Sequence, residues 1–148
     1  MCYTSLMHEL KTKLNNHNKF HTIVYLIHTN QYEEIDNILN DDTLIGLVQS
    51  IINEIHAVGR RLEQNLNSLL WLNDMLIQFG KEAQPSITQA KKVLKTIYIN
   101  IFDLEEKRIE KRTTKTLLKK ELRKHTERRF PLEFAKEYET LKVFLITM

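Results

Sequence analysis

Val48, Ile52, Ile55, Gly59, Leu62, Leu66, Leu69, Asn73 and Leu76 recur at alternating spacings of four and three residues. Side chains at that spacing share one face of an α-helix. Only Gly59 and Asn73 interrupt the apolar seam. Glycine in a helix interior costs about 1 kcal/mol relative to alanine, but no turn residues flank Gly59, so the helix is expected to continue or kink there. An unbroken helix over 43–79 would be about 55 Å long. Gly80 is placed to end it in a left-handed conformation.

The segment 80–86, GKEAQPS, reads as a connector. Ser86 with Gln89 three residues later has the form of a capping box, with Pro85 just before it. Ala90, Leu94, Ile97, Ile101 and Leu104 then resume the same spacing. A short loop between two long stripes predicts an antiparallel helical hairpin, 43–79 with 87–112.

Shorter stripes flank it. Tyr3, Met7, Leu10 and Leu14 form one, and Phe20, Ile23, Val24 and Ile27 a second, separated by Asn-rich 15–18. Asn30 with Glu33 suggests the start of a short helix carrying Tyr32, Ile35 and Leu39, and Asp42 a cap for the long helix. Phe130-Pro131 ends whatever precedes it. Pro131 suits the first position of a last helix over 131–147, with Phe134, Tyr138, Leu141 and Leu145 on one stripe. With three Gly and two Pro in 148 residues, there is little punctuation for an all-β fold. The expected architecture is all-α: one domain over 1–148, a bundle of about five to seven helices.

Charge is unevenly spread. Residues 107–129 hold eleven Lys and Arg against three Glu, which leaves eleven basic and sixteen acidic side chains elsewhere. The chain is a mildly acidic body with one basic stretch. The apolar stripe fails in that stretch: continued from Leu104 it lands on Arg108, Lys111 and Lys115. The part at 105–116 is therefore expected to project from the bundle or to restart near Thr113–Thr114, and Leu117, Leu118 and Leu122 suggest that the chain docks again. As a helix, the stretch would place Lys107, Arg108, Lys111, Arg112, Lys115, Lys119, Arg123 and Arg129 within about half the circumference. Lys120, Lys124 and Arg128 add to the candidate contact set. Such a row suits a phosphate backbone or an acidic protein surface. Equally, Glu106, Glu110, Glu121 and Glu127 can pair with neighbouring bases and leave only a solvated face. No aromatic platform for single strands and no nucleic-acid-binding motif accompanies the charge.

Leu69, Leu70, Trp71, Leu72, Met75, Leu76, Ile77 and Phe79 surround the helix on all sides. A helix apolar all round is expected to be central to the bundle. The alternative is that Leu70, Trp71, Met75 and Phe79 exceed what this chain can cover and meet a partner or a second copy. The apolar C-terminal VFLITM is expected to be core.

Signs of catalysis are few. His17 and His21 have the spacing to grip one metal ion, with His28 further along the same edge, but no nearby Glu or Cys completes a set. His8-Glu9-Leu10 lacks the second His of a zinc-protease motif, and the glycines are too scattered to cradle phosphate. The lone Cys2 excludes an internal disulfide and favours an intracellular setting, cytoplasmic or nuclear. No apolar run approaches the roughly 18–20 residues that span a bilayer, and the opening MCYTSLMHELK lacks the apolar stretch of a signal peptide. The sequence thus points to a non-enzymatic protein-interaction module without a cofactor, a subunit or adaptor of a larger complex. The alternative is non-specific nucleic-acid binding through 107–129.

Overall fold

The computed structural model describes residues 2–145. It is all-α, with ten helices and, among the described residues, no strand beyond a single bridge between Tyr98 and Thr113. Two helices open the chain, α1 (Tyr3–Leu14) and α2 (His17–His28). Between them Asn15 takes a left-handed conformation, and Asn16 caps α2 by accepting from the Lys19 N–H at 3.0 Å. A short α3 (Tyr32–Ile38) follows. Asn30, expected to cap its start, instead ends α2: it sits at φ 58°, while the Gln31 N–H reaches back to the Leu26 carbonyl. Asn tolerates the left-handed region that the end of a helix demands.

The seam builds α4 (Asp42–Asn65), capped by Asp41 rather than Asp42. Helix α4 is the centre of the bundle, packed by α1 and by three helices that follow it in the chain: α7 (Ile101–Glu105), α9 (Leu132–Ala135) and α10 (Glu139–Val143). It buries Leu47, Val48, Ile51, Ile52, Ile55, Val58 and Leu62. Each such side chain contributes about 1.5–3 kcal/mol by leaving water. The helix continues unbroken through Gly59, whose missing side chain has a packing reason. The Tyr138 ring lies against that backbone, where a Cβ would overlap it, and its hydroxyl donates to the His56 carbonyl at 3.2 Å. From the same helix, Glu63 accepts from the Thr140 and Leu141 N–H groups at 3.1 and 2.9 Å and so caps α10 from outside.

The long hairpin is not observed. The helix expected over 43–79 breaks at 66–68, and Ser68 caps a separate α5 (Leu69–Gln78) by accepting from the Trp71 N–H. The helix expected over 87–112 is reduced to α6 (Ile87–Leu94), which Ser86 caps as anticipated, followed by an irregular 95–100 and the short α7. What remains of the hairpin is α5 packed on α6. Gly80 closes α5 at φ 79°, as expected. Asn73, the polar position in the seam, clamps the connecting loop: its amide exchanges two hydrogen bonds with the Gln84 backbone at 2.9 and 2.8 Å.

Pro131 stands just before α9 rather than inside it, and the last helix expected over 131–147 is divided at 136–138 into α9 and α10. Phe134 and Leu141 are buried as the stripe requires, and residues 146–148 lie outside the described residues.

Candidate interaction surfaces

The basic stretch is not a projecting helix. Helix α7 ends at Glu105, where Lys107 adopts φ 59° and the Arg108 N–H returns to the Asp103 carbonyl at 2.8 Å. A 3-10 turn, Ile109–Lys111, follows. The strand-like 112–114 is tied to the body, with the Thr113 N–H on the Tyr98 carbonyl at 2.8 Å. Thr114 then caps α8 (Lys115–Lys124) by accepting from the Leu117 N–H at 3.2 Å. The stripe stops at Leu104 because the helix itself stops there.

Within the stretch four of the five arginines part company with the other basic residues. Four arginines are engaged by the protein. Arg128 is the most deeply committed: its Nη2 donates to both oxygens of Asp103, at 3.0 and 2.9 Å. Its Nε lies 2.9 Å from Glu121 Oε1, with the N–H turned away from a hydrogen bond. Asp103 is only 3% exposed, so this is a buried ion pair whose partners depend on each other. Asn100, also buried, bonds the Arg128 carbonyl at 2.8 Å. Arg112 donates to the Phe79 carbonyl at 2.9 Å and lies over the Phe79 ring, a cation at the C-terminal end of α5. Arg129 donates through Nε to the Leu122 carbonyl at 2.8 Å. Arg108 pairs with Glu106 at 3.2 Å. These four were candidates for polyanion contact, and the structure gives each an internal partner. Planar guanidinium forks suit fixed, directional bonds to carboxylates and carbonyls.

Lys107, Lys111, Lys115, Lys119, Lys120, Arg123 and Lys124 are different: among the described residues none of them makes an ion pair. Of the four acids expected to neutralise them, Glu110 makes no ion pair among the described residues and the other three are taken elsewhere. Glu106 serves Arg108 and the Thr4 hydroxyl, Glu121 serves Arg128, and Glu127 lies 3.4 Å from His125. Helix α8 turns Leu118 and Leu122 inward. On the side away from them it shows Lys120, Arg123 and Lys124 together with Leu117, which is 56% exposed.

Helix α5 is not central to the bundle. Leu72, Met75, Leu76 and Phe79 are buried, which removes Met75 and Phe79 from the expected partner face. Leu70 is 84% exposed and Ile77 60% exposed, two turns apart on one side of the helix, while Trp71 is half-buried. The outer face of α5 is thus carried by Leu70 and Ile77, which are exposed although a helix apolar all round is expected to be buried.

His17 and His21 come together as their spacing requires, ring centroids 4.3 Å apart. Among the described residues no third His, Cys, Asp or Glu joins them. His28 faces elsewhere. It lines a cleft of about 550 Å³ beneath α8, shared with Ile99, Leu118, Leu122, Arg129, Lys142 and others. Burial, and then the charge of Arg129, pushes its pKa down to about 4. Nothing local in the sequence marks this grouping, because its members come from α2, α8, α10 and the loops at 99 and 129. Among the described residues no helix is long and apolar enough to cross a membrane. Compared with protein-family models, curated proteins and solved structures, the chain finds no match in any of the three.

Proposed function

We propose that the chain is a non-enzymatic helical interaction module, a subunit or adaptor that docks an acidic protein surface onto the outer face of α8. The observation that carries the reading is the mixed character of that face. Its cations make no ion pair among the described residues, and Lys120 and Lys124 flank an exposed Leu117. Unpaired lysines steer an acidic partner into contact. An apolar anchor at the centre of a charged rim is the anatomy of a protein interface, whereas a phosphate backbone offers nothing to a leucine. The exposed Leu70 and Ile77 of α5 supply a further apolar contact for a partner or for a second copy of the chain.

A photo-crosslinking residue in place of Leu117, used in an extract of the native cells, tests this. The expected product is a stoichiometric adduct with one acidic protein, unchanged by nuclease and lost when Lys120→Glu and Lys124→Glu are added. Adducts that nuclease removes would overturn it in favour of the second reading, non-specific nucleic-acid binding through the same lysines. In that case affinity for random DNA falls steeply with salt, and each lysine neutralised flattens the slope by roughly 0.7–0.9.

A further inference from the structure

We propose that the cleft beneath α8 is a binding site for a small aliphatic monocarboxylate, with the carboxylate held by Arg129 and Lys142 and the chain lying on Ile99, Leu118, Leu122 and Phe144. The cleft measures about 550 Å³, within the roughly 300–1,000 Å³ of small-molecule sites. Its walls are mainly apolar with a few polar groups among them, the pattern by which pockets fix orientation. Leu118 and Leu122 are buried, yet they stand apart from the continuous apolar core, so α8 roofs a cleft rather than closing a packed layer.

The charged groups are of one sign. Arg128, Arg129 and Lys142 line the cleft with the neutral Asn100 and His28, and among the described residues no Asp or Glu does. Arg128 is neutralised by Asp103 and Glu121. Arg129 and Lys142 make no ion pair among the described residues. Arg129 spends its Nε on the Leu122 carbonyl, which holds the guanidinium in place and leaves its two terminal nitrogens without a partner among the described residues. Two parallel N–H donors are the match for a carboxylate. His28 contributes an Nε2 that is closed to solvent and has no hydrogen-bond partner, an arrangement that buried polar atoms rarely keep without a ligand or water. Held down at about 4 by burial and by Arg129, the ring is neutral at pH 7 and adds a hydrogen bond rather than a charge.

The test uses the full chain and sodium decanoate as probe, with decan-1-ol as the uncharged comparison. Binding is followed by calorimetry and by the imidazole NMR signals of His28. Decanoate should bind one to one and shift the His28 signals, and decanol should bind about tenfold more weakly or not at all. Lys142→Glu, at an exposed position, should weaken decanoate about tenfold, while Lys124→Glu on the outer face of α8 should leave it within about twofold. Arg129→Gln should weaken it further, with unfolding measured in parallel because that residue also holds Leu122. Absence of binding up to millimolar decanoate would overturn the proposal. So would equal binding of the alcohol, or equal loss in the two lysine variants.

Discussion

Helices α4 and α8 come from stretches that each carry leucines at helical spacing, and the fold treats them oppositely. Helix α4 is packed on several sides, by α1, α7, α9 and α10. Helix α8 packs, among the described residues, mainly on the 3-10 turn that follows it and buries two leucines over a cleft. A seam sustained over 24 residues gathers other elements around it. Two leucines in a ten-residue helix need help, and here the arginines give it. Arg112, Arg128 and Arg129 fasten the stretch to α5, α7 and the end of α8. In the acidic body apolar burial locates the chain, and in the basic stretch directed hydrogen bonds do.

The sharpest way to break this contrast is at Asp103. Asp103→Asn leaves the part-buried Arg128 with Glu121 alone as counter-charge. Equilibrium denaturation should show a loss of about 2–3 kcal/mol, a little less than for a fully buried pair stripped of one partner. A loss below about 1 kcal/mol would mean that the stretch is not held by its arginines.

His28 gives a pH-dependent version. Its folded pKa lies near 4, below the roughly 6.5 of an unfolded histidine. The unfolded chain therefore binds more protons in that interval, and stability falls as pH drops from about 6.5 toward 4. His28→Gln should remove about 2–3 kcal/mol of that fall. Parallel pH–stability curves for the variant and the parent protein would contradict it.

Two smaller changes probe the body. Gly59→Ala would gain about 1 kcal/mol of helix propensity, but the new methyl overlaps the Tyr138 ring, so a net loss of about 1–3 kcal/mol is expected from overpacking. A stabilised variant would show that the ring moves aside freely. Ser68→Ala removes the cap at the start of α5 and should cost about 1 kcal/mol. No change would mean that Leu66 and Leu69, rather than the cap, fix the break.

The centre of the bundle was expected at 69–79 and lies on α4 instead, but the all-α class and the apolar seam over 48–62 were legible because burial on one helix face leaves a period in the sequence. The hairpin was overestimated for the same reason. Leu66 and Leu69 keep the four-three phase across 66–68, so the stripe runs on although the helix does not. The signal for the break was present in Asn67 and Ser68, residues that compete for backbone hydrogen bonds and favour caps. Asn100, which caps α7, was a similar signal before Ile101. The division of labour in the basic stretch was not legible. Arg128 finds Asp103 from 25 residues away, and no local spacing announces such a pairing. Exposure of Ile77 was hidden too, because an apolar residue beside a buried seam looks like core until the neighbouring helices are placed.

Four arginines of the basic stretch are tied into the fold, and its lysines make no ion pair among the described residues. Urea unfolding of two variants tests this division most directly. In one, Arg112 and Arg128 are changed to Gln; in the other, Lys115, Lys120 and Lys124 are changed to Gln. The arginine variant should lose about 4 kcal/mol, and the lysine variant should stay within about 0.5 kcal/mol of the parent. A lysine variant that unfolds as readily as the arginine variant would contradict the account, because its lysines would then be part of the structure rather than its free surface.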